Sequence, residues 1–141
     1  MSTFLHFFVF VTTLVVAGCA SKPAGEPRAP LEHTFWRLTE MNGQPVAATP
    51  GFMMPSLQLN AGMQQASGTS GVNRYTALYV LSGSSIRFSS VTGTRMAGPA
   101  QAMQLEGAFV NALSHVSSWS IEGSRLDLKV AEETVLRFQA R

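Results

Sequence analysis

The sequence predicts an α+β domain in which an antiparallel sheet carries a single helix. Three observations lead there. Short runs of alternating apolar and polar residues, broken by Gly-containing turns, recur from residue 35 to residue 139. One segment near residues 98–116 changes to apolar spacings of three and four, the period of a helix. A chain of 141 residues with 45% hydrophobic content has room for one core, hence one domain.

Residues 1–18 read as a secretory leader. Phe4 to Val16 is an almost unbroken apolar run, shorter than the roughly 20 residues of a membrane-spanning helix, and the small residues Ala17 and Gly18 follow it. The stretch before the run has no Lys or Arg, only the amino terminus and His6. Next stands the only cysteine, Cys19. Val16-Ala17-Gly18-Cys19 resembles the lipobox of bacterial lipoproteins, which implies cleavage before Cys19 and acylation of its thiol, with palmitate among the acyl groups. Ala20, a non-acidic residue after the cysteine, implies sorting to the outer membrane with the domain facing the periplasm. With Cys19 acylated, the mature chain keeps no cysteine for an internal disulfide.

Residues 19–30 form a tether. The stretch "ASKPAGEPRAP" has prolines, a glycine and scattered charges but no period to bury, and a dozen extended residues reach at most roughly 40 Å. The folded domain is expected over residues 31–141. "TFWRLTEMNGQPV" sets Trp36 and Leu38 against Phe35, Arg37 and Thr39, then meets Asn42-Gly43, a strong hairpin signal. Leu57 and Leu59 mark a strand that turns near Ala61-Gly62 into another. Tyr75 to Val80 is a strand that turns at Ser82-Gly83 into one carrying Ile86 and Phe88. In "GPAQAMQLEGAFVNALSHV", Ala102, Leu105, Phe109, Ala112, Leu113 and Val116 form one helical stripe, and Pro99 suits a first helical turn. A hairpin at Glu122-Gly123 and a last strand, "TVLRFQA", complete the sheet. Trp36, Phe35, Phe88, Phe109, Trp119 and Phe138 are assigned to the core by alternation.

Composition and spacing exclude several chemistries. The balance of 10 basic to 8 acidic residues is nearly neutral, and the cations are scattered, so nucleic acid is not the partner. His33 and His115 are far apart and have no Cys partner, so no metal site is expected. The methionines, with Met53-Met54 the only adjacent pair, are read as gap-fillers and not as copper ligands. The most polar run is "SGTSGVNRY", residues 67–75. Ser67, Thr69 and Ser70 lack a nucleophile elbow and a nearby histidine, and no Walker-type Gly-Lys-Ser/Thr is present. Glu106 is read as a solvated or capping carboxylate, leaving no catalytic residue and no cofactor to assign. The run is therefore expected to be a strand-to-strand turn.

Several motifs stand in a fixed order: Trp36-x-Leu38, Asn42-Gly43-Gln44-Pro45-Val46, Ser67-Gly68-x-x-Gly71-x-Asn73-x-Tyr75, Thr94-x-Met96-Ala97, Glu106-x-x-Phe109-x-x-x-Leu113 and Leu126-x-Leu128. Together they resemble the META domain of HslJ-like envelope lipoproteins. The resemblance implies a curved antiparallel β-sheet, a partial barrel, packed around one α-helix. It also implies a non-catalytic role in binding and stress tolerance, linked to heat shock. The expected partners are the membrane, through lipidated Cys19, and an envelope protein or an apolar ligand. A carrier of acyl chains or other small apolar molecules is the alternative. The family commonly has cysteines where this chain has Val72 and Gly98, which implies a lost bridge between two loops and a buried Val72.

Overall fold

The computed structural model describes residues 27–141. The leader, Cys19 and the first part of the tether therefore lie outside the described residues. Nine strands and one helix follow in order: β1 Trp36–Met41, β2 Gln44–Pro45, β3 Ser56–Asn60, β4 Gln65–Thr69, β5 Arg74–Ser82, β6 Ser85–Gly93, α1 Ala100–His115, β7 Ser118–Glu122, β8 Arg125–Val130 and β9 Glu133–Ala140. Every strand pairing is antiparallel, in the order β2-β1-β3-β4-β5-β6-β7-β8-β9, and a further β1–β9 pairing bends the sheet into a ring. The ring is weak at two seams. The β6–β7 seam has one residue pair, Ser85 with Ser118, and the β1–β3 seam has two.

The hairpin signals act as expected. Asn42 and Gly43 take φ of 50° and 74°, the paired positive values that a two-residue turn of the β1–β2 type requires. Along β5, Tyr75, Ala77 and Tyr79 point inward while Arg74, Thr76, Leu78 and Val80 face out. The helix fills the ring. Ala102, Phe109 and Leu113 are its buried residues, and the Phe109 ring meets Tyr75 and Phe138 edge-on at centroid distances of 5.6 and 6.4 Å. Burying such a ring stabilises the fold by about 1.5–3 kcal/mol. Leu105 and Ala112, on the expected stripe, are only half-buried. Pro99 stands one residue before the helix, at the cap, and its ψ of 146° breaks the extended loop from the first turn.

Two aromatic assignments are corrected. Phe35 precedes β1 and is 38% exposed. Trp119 is half-buried, its indole N–H donating to the Gly83 carbonyl at 3.0 Å, because β7 runs along the weak seam where one face stays open. The packed structure also begins at Ala29, two residues before the expected boundary. Ala29 N–H donates to Gly123 O at 2.9 Å, Leu31 is buried, and the Trp36 indole donates to Leu31 O at 2.9 Å.

Strand direction separates two ends. Alternation in an antiparallel ring places the connections 42–43, 70–73, 94–99 and 131–132 at one end. The turns 61–64, 83–84 and 123–124 lie at the other. The N-terminal segment crosses this second end, where His33 N–H donates to Leu59 O and the buried Tyr79 hydroxyl donates to Glu32.

Candidate functional site

The polar run 67–75 spans the end of β4, a four-residue connection and the start of β5. It is held by a carboxylate from the helix. Glu106 comes four residues after Ala102 and three before Phe109, so it shares the inward helical face and meets the connection where the ring opens. Its Oε2 accepts from the Asn73 backbone N–H at 2.8 Å and from the Ser70 hydroxyl at 2.9 Å, and its Oε1 accepts from the Asn73 side-chain amide at 2.8 Å.

Asn73 extends the clasp to the 94–99 connection. Its Nδ2 also donates to Met96 O at 3.0 Å, while its Oδ1 accepts from the Thr94 hydroxyl and the Met96 N–H, each at 2.7 Å. Both donors and both lone pairs of this buried amide are thus used, which is the full capacity of the group. Glycines complete the geometry. Gly71 takes φ of 125°, and any Cβ at Gly68 would overlap the Ser56 carbonyl, so β3 and β4 can touch only because the side chain is missing.

The electrostatics follow from these bonds. Partial burial pushes the Glu106 carboxyl up, but hydrogen bonds from the Asn73 side chain and backbone, from Ser70 and from the Val72 backbone outweigh it and hold the group below its usual range. A carboxylate held ionised by several donors is a weak base. The neighbouring Ser70 is 2% exposed, and its hydroxyl lies 3.0 Å from Asn73 O and 2.9 Å from Glu106, so its proton is shared between two internal acceptors. What the arrangement does well is pin two loops to one helix.

Clefts surround the clasp. One of about 260 Å³ lies between the 44–49 segment and the helix, lined by Met41, Pro45, Val46, Ala47, Gln101 and Leu105. Another of about 330 Å³ has Phe35 and Met53 on one side and Arg74 and Thr76 on the other. The model of the META domain matches residues 29–141. This chain belongs to the META-domain family. A solution NMR structure of a protein from Burkholderia xenovorans is similar at 29% identity, covering 86% of this chain and 97% of that one with a TM-score of 0.64. A second NMR structure shares the fold at 23% identity and TM-score 0.59, covering 77% of this chain and 90% of its own. No curated protein matches the chain.

In this META domain Val72 and Gly98 meet. A Cβ built on Gly98 would lie 2.7 Å from Val72 Cγ2 and 3.1 Å from Cγ1, with Phe52 at 3.5 Å. Val72 is half-buried, not buried, because the connection lies at the rim and only the side toward Gly98 is covered. Ser67 is half-buried on β4, while Thr69 is buried and accepts from Gly71 N–H at 3.0 Å. His33 and His115 are exposed. Among the described residues no three His, Cys, Asp or Glu side chains gather as for a metal, and no helix is long and apolar enough to cross a membrane. The reading of Glu106 as a solvated or capping group missed its partners. Asn73 and Thr94 were both visible in the ordered motifs, yet only the fold brings Asn73 to the Glu106 carboxylate and Thr94 to Asn73.

Proposed function

We propose that this META-domain protein is an HslJ-like envelope lipoprotein, anchored at the outer membrane by acylated Cys19, that acts by binding and not by catalysis. The observation that carries the reading is the engagement of Glu106. This carboxylate, beside the Ser70 hydroxyl, has both oxygens engaged as a structural clasp. The polarity of the domain supports it. The N-terminal segment leaves from the end opposite the 70–73 and 94–99 connections, so a membrane tether would present that loop-bearing end to a partner. The exposed Met53 and Met96, 62% and 58% accessible, offer deformable apolar contact there. The stress-tolerance role rests on the resemblance to HslJ-like proteins, and the outer-membrane address on Ala20.

Crosslinking of the membrane-bound protein in cells, followed by mass spectrometry, tests the binding role and should recover a defined envelope partner. Fractionation tests the anchor. Cys19→Ala should move the protein out of the membrane fraction, and a variant that still partitions fully with membranes contradicts the lipobox reading. The cleft lined by Met41, Val46 and Leu105 favours a second reading, a carrier of small apolar molecules, although the ring interior itself is filled by Trp36, Phe109 and Phe138. Lipid co-purifying with the protein would support that carrier role.

A further inference from the structure

Between Glu40 and Glu106 the sequence contains no Asp, Glu, Lys or His, and its only charged side chains are Arg74, Arg87 and Arg95. This acid-free stretch builds β2 to β6, so that side of the ring carries positive charge without compensation. Arg74 stands at its centre. The cleft beside Phe35 and Met53 shares Arg74, Tyr75 and Thr76 with a second hollow of about 340 Å³ that runs on to Thr92 and Thr94. Each hollow lies near the lower end of the size range of small-molecule sites, about 300–1,000 Å³. Among the described residues the Arg74 guanidinium has no carboxylate within 4.0 Å. Glu106, the acid that lines a neighbouring hollow together with Arg74, has both oxygens taken by Ser70 and Asn73.

The walls define what would fit. Thr76, Thr92 and Thr94 are exposed and Ser67 is half-buried, and the Thr76 and Thr92 hydroxyls lie 3.3 Å apart across β5 and β6. Tyr75 and Thr94 do not join them, because the Tyr75 hydroxyl donates to Ser56 O at 2.9 Å and the Thr94 hydroxyl to Asn73 Oδ1 at 2.7 Å. A peptide adding itself as a strand is disfavoured, since β4 and β5 are each paired on both sides and offer no free backbone edge. The rest of the lining is apolar, with Phe35 and Met53 exposed beside the hydroxyls. Hydroxyls, one free planar cation and one exposed ring match a hydroxylated, carboxylated ring molecule.

We propose that this groove binds an acidic saccharide, its carboxylate on the Arg74 guanidinium, its hydroxyls on Ser67, Thr76 and Thr92, and the C–H face of a sugar ring on Phe35. The assignment rests on the reading of the domain as a binding module and names a ligand class for it. The test is an NMR titration of the full isotope-labelled chain in detergent micelles with trigalacturonate, and with uncharged maltotriose as control. Trigalacturonate should shift the backbone signals of residues 67–69, 74–76 and 92–94, and maltotriose should not. Arg74→Gln should weaken binding about ten-fold or more, and Phe35→Ala should weaken it less. Arg74 is exposed and its side chain makes no hydrogen bond among the described residues, so an unchanged spectrum of the free variant verifies its fold. No response in the groove, an equal response to maltotriose, or full affinity in Arg74→Gln overturns the proposal. A crosslinked partner in cells together with a silent groove would overturn the saccharide assignment while leaving the binding role in place.

Discussion

Replacing Val72 and Gly98 together by cysteine should staple the two loops that Asn73 and Glu106 now hold. A Val Cγ is about 1.5 Å from its own Cβ, so with Gly98 Cβ at 2.7 Å from Val72 Cγ2 the two Cβ atoms are at most about 4.2 Å apart, within the span of a disulfide. Gly98 does not take a positive φ, so a side chain there is not strained by the backbone. Closing a loop of about 26 residues is worth about 3.5 kcal/mol in the chain-entropy model, which for a domain of this size raises Tm by about 10–15 °C. The assay is thermal unfolding of the oxidised and reduced double variant beside the parent. The reduced form should melt slightly below the parent, since the Val72 methyls that lie against the 98 position are lost. Absence of the bridge under oxidising conditions, or a bridge that leaves Tm unchanged, refutes the geometry.

Other consequences concern the clasp and the ring. Glu106→Gln should lower stability at neutral pH by about 2–3 kcal/mol in denaturant melts, because charge-assisted bonds weaken and an amide N–H₂ must face existing donors. Since the Glu106 carboxyl is held below its usual value of 4.5, its contribution is full above that pH and is lost as the pH falls through the lowered value in the folded protein. The stability difference between the parent and Glu106→Gln should therefore shrink as the pH falls below 4.5, and parallel curves would show that the carboxylate charge does not matter. Gly68→Ala should destabilise by about 1–3 kcal/mol or more, because the added methyl overlaps the Ser56 carbonyl and β3 must move. An unchanged denaturation midpoint would mean that the β3–β4 contact is loose.

Most of the fold was legible because its signals are local. Asn42-Gly43 names its own turn, and the alternation from Tyr75 to Val80 fixes which side of β5 faces the core. The single change of period at residues 98–116 located the helix. Phe35 and Trp119 were misplaced because alternation says which face a residue occupies, but not whether that face is covered where a strand is beginning or a seam is open. The site was less legible. Asn73 and Glu106 are 33 positions apart, and no periodicity reports that a turn amide and a helical carboxylate converge. Arg74 looked like part of a polar turn, and only its lack of a partner and its place between two hollows distinguish it from the paired Arg137, which lies between Asp127 and Glu40.

The central claim is that the domain works by binding through the loop-bearing end, away from its tether. Site-specific photocrosslinkers at Met96, in the 94–99 connection, and at Ser84, in a turn of the opposite end, test it directly in cells expressing the full chain. A discrete crosslinked partner from position 96 and none from position 84 is the predicted result. Crosslinking at 84 alone, or at neither position, would contradict it.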